Sequence, residues 1–179
     1  GERRGCPVSG RGLFLVGLSH RSAPIEVRER VVLTGDDLKG ALQELVQGRG
    51  VDEALVISTC NRVEVIVEGD VESLKDFLLQ QERKDFFVHD GIGALRHLFS
   101  LASGIDSMIV GEDQIIGQLK KTLADAQEAG TSSSFLEHCI NKALHVGIEV
   151  RKRTQINRGA VSVGSAAVQL AEAEIGSLE

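Results

Sequence analysis

The stretch "EALVISTCNRVEVIVEG" (53–69) places Cys60 at the end of one apolar run, and a second run begins two residues later. Both runs are rich in β-branched residues, which favour strands. Val63, Val65 and Val67 alternate along the second run, so one face of its strand is expected to be apolar. The sequence therefore predicts two strands separated by a short turn that contains the cysteine.

The residues before this stretch predict a strand followed by two helices. "GLFLVGLSH" (12–20) is a continuous apolar run, as in a buried strand. Pro24 can open a helix through "IEVRERVVL" (25–33), because proline is tolerated in a first helical turn. "TGDDLKGALQELVQG" (34–48) begins with a capping threonine and carries leucines at helical spacing, which predicts a second helix.

The residues after it complete the order of elements. "DVESLKDFLLQQ" (70–81) is amphipathic and predicts a helix, and "DFFVHDG" (85–91) predicts a short strand. Strand, helix, strand, strand, helix, strand is the order of a ferredoxin-like, split βαβ sandwich. The sequence therefore predicts an α/β (α+β) fold over residues 13–90, preceded by a flexible lead-in over residues 1–12.

From residue 90 the pattern becomes helical, with glycine or serine between the segments. Four segments have helical periodicity: "DGIGALRHLFSLASGI" (90–105), "GEDQIIGQLKKTLADAQEAG" (111–130), "SSSFLEHCINKALHVGIEVRKRT" (132–154) and "GSAAVQLAEAEIGSLE" (164–179). The tract "TSSS" predicts a turn whose last serine, Ser134, caps the next helix. A helical subdomain over residues 91–160 is therefore expected.

Composition limits the class of protein. The chain has 179 residues, of which 42% are apolar and 26% charged, as is typical of a globular domain. Its apolar runs are far shorter than the roughly 20 residues that span a bilayer, and no signal peptide is recognisable, so a cytoplasmic protein without a membrane segment is expected. The net charge of −6 disfavours a generic nucleic-acid binder but leaves room for a local basic patch.

The cysteines and histidines predict no metal site. Cys6, Cys60 and Cys139 are odd in number and widely spaced, which argues against a disulfide framework and offers no C-x-x-C pair. His138 and His145 lie on one helical face, but no further ligand is evident, and ordinary helix packing is the simpler interpretation.

Cys60 has two interpretations. At a strand end it can be a nucleophile if its thiolate is favoured, and Arg62 could supply the positive charge or bind an anionic substrate group. The alternative is a small buried hydrophobe, which is the usual role of a cysteine at a strand end. Histidine is the natural acid/base partner of such a thiol. Spacing does not choose among the candidates, which are His20, His89, His97, His138 and His145.

Four stretches together resemble one enzyme family. They are "GLSHRSAPIEVRER" (17–30), "STCNRVEVIVEG" (58–69), "RHLFSLASGIDSMIVGEDQIIGQLKK" (96–121) and "INRGAVSVGSAAVQLA" (156–171). In this order and spacing they look like the N-terminal catalytic region of glutamyl-tRNA reductase. Four ordered matches of this length are far more specific than a single catalytic motif.

The resemblance implies a reaction in two stages. Cys60 would attack the ester of glutamyl-tRNA to form a glutamyl thioester, with acid/base help from His97. NADPH would then reduce the thioester to glutamate 1-semialdehyde in tetrapyrrole (haem, porphyrin) biosynthesis. The family binds NADPH in a Rossmann domain and forms homodimers through another domain, both expected beyond the start of a spinal helix at 161–179. Without a G-x-G-x-x-G motif, only acyl transfer, ending in hydrolysis of glutamyl-tRNA, is expected of this chain.

The resemblance also implies substrate contacts and a protein partner. Thr59, Arg62 and Ser107 would surround the glutamate moiety, with the guanidinium of Arg62 binding its side-chain carboxylate. Glu112 and Gln114 are further substrate-binding candidates, although "GEDQ" could equally be a capped helix start. The next enzyme of the pathway, glutamate-1-semialdehyde aminomutase, is the implied partner.

A basic cluster near the end of the third helical segment consists of Arg151, Lys152, Arg153 and Arg158. These cations could contact tRNA phosphates, or they could simply complement a helix C-terminus. Two other functions also remain open for the chain. A binding module for tRNA or a partner would be indifferent to Cys60, and a general cysteine thioesterase would not require a glutamyl group.

Overall fold

The computed structural model describes residues 11–48, 50–70, 86–157 and 163–175. In this part of the chain the strands are β1 (Arg11–Ser19), β2 (Val51–Ser58), β3 (Arg62–Asp70) and β4 (Phe87–Asp90). The helices are α1 (Ile25–Glu29), α2 (Gly35–Gln47), α3 (Gly91–Ala102), α4 (Gln114–Ala129), α5 (Ser134–Arg153) and α6 (Val163–Ile175). None of these helices is both long and apolar enough to cross a bilayer.

The sheet has the strand order β2-β3-β1-β4, and every neighbouring pair is antiparallel. β1 and β2 are therefore parallel to each other, joined through α1 and α2, with β3 inserted between them. This arrangement is a split βαβ unit, and it confirms the predicted ferredoxin-like fold. Residues 1–10 of the predicted lead-in and nearly all of the helix predicted at 70–81 lie outside the described residues, whereas Arg11 and Gly12, predicted as lead-in, already belong to β1 because they pair with β3.

Both faces of the sheet are buried. The face towards α2 carries an apolar cluster that contains Phe14, Leu42, Val56, Val63 and Val67, with Val65 packed against it. The alternation predicted for β3 is therefore confirmed. The opposite face packs beneath α3, α4 and α5, and its cluster joins sheet residues such as Leu15, Ile57 and Ile66 to helical ones such as Leu98, Leu119 and Ile140. One apolar core thus crosses residue 90, and the division into subdomains at that point stays a prediction.

Two details of the first helices differ from the prediction. α1 ends at Glu29 instead of continuing to residue 33, because the chain turns and the N–H of Leu33 donates to Ser58 Oγ at 3.1 Å, which draws the chain onto β2. Thr34 occupies the N-cap position of α2 as predicted, but its side chain makes no capping hydrogen bond. α2 itself covers the predicted residues and ends before Gly48.

The N-terminus of α5 is capped by a carboxylate from the sheet. Glu53 on β2 accepts hydrogen bonds from the backbone N–H groups of Ser133 (2.9 Å), Phe135 (3.2 Å) and Leu136 (2.9 Å), and from the Ser133 hydroxyl. The N-cap residue is Ser133, not the predicted Ser134. Burial alone would raise the pKa of Glu53, but these hydrogen bonds outweigh it and lower the pKa below its usual value.

Replacing Glu53 with glutamine is expected to lower the free energy of unfolding by about 1.5–3 kcal/mol near neutral pH, since hydrogen bonds to a charged group contribute that much. Because folding lowers the pKa of Glu53, its contribution is complete above the ordinary value of 4.5 and is lost as the pH falls through the folded-state pKa. Urea unfolding of both proteins over this pH range measures the difference. A difference that does not change with pH would contradict the capping role.

Candidate active site

Cys60 lies exposed at the tip of the hairpin between β2 and β3. The turn is closed by Thr59, whose N–H donates to the carbonyl of Arg62 at 2.9 Å. The Thr59 hydroxyl oxygen also accepts the N–H groups of Asn61 and Arg62, each at 3.2 Å. These bonds hold the backbone on both sides of the thiol, and the turn leaves Cys60 exposed to solvent.

The same tip is held from behind by the segment that follows β1. The N–H of His20 donates to the carbonyl of Asn61 at 2.9 Å, and the guanidinium of Arg28 donates to the carbonyl of Cys60. His20 Nδ1 is buried and has no hydrogen-bond partner among the described residues. Burial and then the nearby charge of Arg62 lower the pKa of His20, which favours its neutral form.

A shallow cleft opens beside the thiol. Its walls come from the hairpin tip, from the loop between α3 and α4, and from the first turns of α4. The lining residues are Thr59, Cys60, Asn61, Arg62, Ser107, Met108, Glu112, Gln114, Ile115 and Gln118. The structure therefore brings together Cys60 and all five residues predicted to bind substrate, and their roles stay predictions.

Arg62 reaches the cleft with its guanidinium already bonded to carboxylates. Its side chain is 3% exposed, and Nη1 lies 2.6 Å from Glu64 Oε1 and 3.3 Å from Asp106 Oδ2. Nη2 donates to the carbonyl oxygen of Asp106 at 2.5 Å. In the described part of the chain this leaves Nε and one Nη2 hydrogen without a protein acceptor. Arg62 can therefore still bind an anion, but in a fixed orientation.

Glu64 joins Arg62 to His97 and was missed by the sequence analysis. Its carboxylate is fully buried and lies 3.0 Å from His97 Nε2 through the oxygen that does not bind Arg62. Gly17 pairs with Glu64 across the sheet, and a Cβ on Gly17 would lie 2.7 Å from the Glu64 side chain. A glycine within the apolar run of β1 was the available signal that a neighbouring strand needs space there.

His97 lies apart from the cleft residues. Its ring is 12% exposed, stacks on His89 with centroids 4.9 Å apart, and contacts Phe87 at 5.3 Å. Burial and then the proximity of His97 lower the pKa of His89. His97 does not line the cleft and is linked to it through Glu64 and Arg62. Its acid/base role at the ester therefore stays a prediction, and no direct contact with the cleft supports it.

The loop between α3 and α4 is fastened at two points. Asp106 forms an ion pair with Arg21 at 2.5 Å in addition to its bonds with Arg62, which ties the loop to the hairpin. Gly111 has a positive φ, and a Cβ there would overlap the backbone of Ile156 beyond α5. The cleft wall that carries Ser107 and Glu112 is thus held between the sheet and the end of α5.

Arg151 is turned inward, unlike its neighbours in the basic cluster. Its guanidinium is 9% exposed and donates to the carbonyls of Ala102 (2.7 Å), Gly147 (2.9 Å) and Glu112 (2.8 Å). These bonds leave little of it for a tRNA phosphate, because the side chain holds the cleft wall instead. Lys152 and Arg153 are exposed and pair with Glu149, and Arg158 lies outside the described residues.

The residues described hold no recognisable metal site, since no group of three His, Cys, Asp or Glu side chains converges. Cys139 is buried in the core, and burial raises the pKa of its thiol.

Comparison with known proteins assigns the class of the domain. The family model "Glutamyl-tRNAGlu reductase, N-terminal domain" matches residues 16–154. A glutamyl-tRNA reductase from Methanoregula boonei is 61% identical over 92% of this chain, which covers 38% of the relative. One from Thermus thermophilus is 44% identical over 93% of this chain and 42% of the relative.

A solved structure gives the same result. The glutamyl-tRNA reductase from Methanopyrus kandleri matches with a TM-score of 0.77 and 38% identity, over 93% of this chain and 41% of that one. This chain belongs to the glutamyl-tRNA reductase family, and it corresponds to the N-terminal domain. It spans about two fifths of the length of the relatives it matches.

Proposed function

We propose that this chain carries out the acyl-transfer half of a glutamyl-tRNA reductase reaction, with Cys60 as the nucleophile. The observation that carries the proposal is the exposed thiol at a hydrogen-bonded hairpin tip, in a cleft that is also lined by all five predicted substrate-binding residues. Structural cysteines are usually buried, as Cys139 is here. An exposed thiol with an ordered backbone is the arrangement that a nucleophile needs.

The cleft chemistry matches a glutamyl group attached through its α-carboxyl. Such a group presents one free carboxylate and one ammonium. Arg62, Ser107 and Gln114 supply hydrogen-bond donors for the carboxylate, and Glu112 supplies an acceptor for the ammonium. Donors and an acceptor in the same cleft would distinguish glutamyl from uncharged acyl groups, which a general thioesterase would accept.

The proposed step forms a bond between Cys60 Sγ and the ester carbonyl carbon. The bond from that carbon to the ribose oxygen of the tRNA breaks, and that oxygen takes up one proton in place of the one that the Cys60 thiol gives up to become a thiolate. The product on the protein is a glutamyl thioester, which water hydrolyses if no reductant arrives. Reduction by NADPH, the place in tetrapyrrole biosynthesis and transfer of the semialdehyde to the aminomutase are proposals for the longer protein.

The proposal is tested by mixing the chain rapidly with glutamyl-tRNA, quenching in acid and measuring the intact mass. A glutamyl adduct that hydroxylamine removes, and that peptide mapping places on Cys60, is the expected result. If the chain binds glutamyl-tRNA but forms no adduct and releases no glutamate, the result would instead support a binding module. Equal adduct formation from an uncharged aliphatic acyl-tRNA would support a general thioesterase.

A further inference from the structure

We infer that Arg28 is a positioning residue for Cys60, an inference that rests on the proposed function. Arg28 lies on α1, its residue is 6% exposed, and Nη1 donates to the backbone carbonyl of Cys60 across 32 positions of sequence. Nε donates to the carbonyl of Ala23 at 3.2 Å. The guanidinium therefore links α1, by hydrogen bonds, to the turn after β1 and to the residue that carries the thiol.

Arg28 holds this position at an energetic cost. Its partners are neutral carbonyls, and no carboxylate forms an ion pair with it in the part of the chain that the structure describes. A buried cation without a counterion is unfavourable by several kcal/mol after relaxation. An apolar side chain would fill the same space without that cost, so the fold alone does not account for an arginine here.

The hairpin does not need Arg28 in order to close. Thr59 already completes the turn, and next to it β2 and β3 pair without interruption from Glu53 opposite Glu68 to Ser58 opposite Val63. What Arg28 adds is control over the peptide that follows Cys60. Together with the bond from His20 N–H to the carbonyl of Asn61, it fixes two successive carbonyls of the tip. These two bonds restrain the backbone immediately after Cys60, and with it the direction of the Cys60 side chain.

Control of this kind affects the rate of attack more than binding. A nucleophile must lie about 3–3.5 Å from the carbon it attacks, and a misplacement of roughly 1 Å can cost on the order of 100-fold in rate. Arg28 does not line the cleft, so changing it removes no direct contact with the glutamyl group. Loss of Arg28 should therefore lower the rate constant of acyl transfer while leaving half-saturation by substrate nearly unchanged.

The test compares Arg28→Lys with the unaltered chain in single-turnover formation of the glutamyl adduct. Lysine keeps the charge but lacks the fork that bonds two carbonyls at once. At saturating glutamyl-tRNA, and well below the unfolding temperature, we expect a fall of about 100-fold, with half-saturation changed by less than about threefold. If Arg28→Lys does not fold, Arg28→Gln, which keeps one donor, replaces it.

Glu53→Gln is the matched control for stability, because it weakens the opposite end of β2 and touches nothing in the cleft. A fall in rate for Arg28→Lys no larger than for Glu53→Gln would overturn the inference. So would a change confined to half-saturation. Two results separate the inference from the proposed function. If the unaltered chain forms no glutamyl adduct, the proposed function is rejected. If iodoacetamide alkylates Cys60 at the same rate in the unaltered chain and in Arg28→Lys, the positioning role of Arg28 is rejected.

Discussion

Replacing Cys60 with serine is expected to reduce formation of the glutamyl adduct by about 10⁴-fold or more, since removing a nucleophile abolishes the covalent step. A serine hydroxyl needs an adjacent general base to become nucleophilic. None of the residues that line the cleft is a histidine, and His97 is bonded to Glu64 instead. Intact-mass measurement after rapid mixing with glutamyl-tRNA gives the rate directly.

The matched control for this substitution is Cys139→Ala. Cys139 is the other free cysteine in the described part of the chain, and it is buried away from the cleft. The control is expected to form the adduct at the rate of the unaltered chain, at a temperature where both are folded. Undiminished adduct formation by Cys60→Ser would show that the acyl group is transferred elsewhere, and it would reject Cys60 as the nucleophile.

Replacing Glu64 with glutamine is expected to lower the free energy of unfolding by about 3 kcal/mol. Removing one partner of a buried ion pair leaves the other charge without compensation. Glutamine offers one acceptor oxygen where glutamate offers two, so it cannot accept from both Arg62 and His97, and Arg62 keeps only Asp106 as a charged partner. Urea denaturation measures the loss, and adduct formation is expected to slow because the guanidinium in the cleft is no longer held.

The control is Glu149→Gln, which removes an exposed carboxylate from two surface ion pairs. Surface pairs contribute little, so its unfolding midpoint should stay close to that of the unaltered chain. Adding Arg62→Met to Glu64→Gln should cost less than the sum of the two single changes, because the stranded charge is then removed. An additive result, or an unchanged midpoint for Glu64→Gln, would contradict the buried pair.

Periodicity predicted those parts of the fold that depend on local pattern. The alternating valines of β3, the long helices after residue 90 and the strand order typical of a split βαβ unit are all read from neighbouring residues. Thr59, Ser107 and Gln114, which the motifs grouped as substrate-binding candidates, line one cleft although the hairpin and α4 are far apart in sequence, and their roles stay predictions. The family resemblance supplied that grouping, since spacing alone does not.

The buried polar contacts were not predictable in the same way. A glutamate in a strand usually faces solvent, and only the pairing with Gly17 and the approach of His97 explain why Glu64 is buried. Arg151 looked like a surface cation at a helix end, and its inward orientation depends on the carbonyls at the end of α3. Contacts of this kind join distant segments, so they cannot be predicted from the sequence pattern of a single segment.

Glu64 also restricts the alignments that β3 can adopt with its neighbours. A slip of one residue would turn every β3 side chain to the opposite face and move the carboxylate into the apolar layer against α2. It would also lose the space that Gly17 provides. A carboxylate without a partner in that layer would cost several kcal/mol, so misaligned sheets are disfavoured while the chain folds. The charge that orders the cleft thus also selects one strand register.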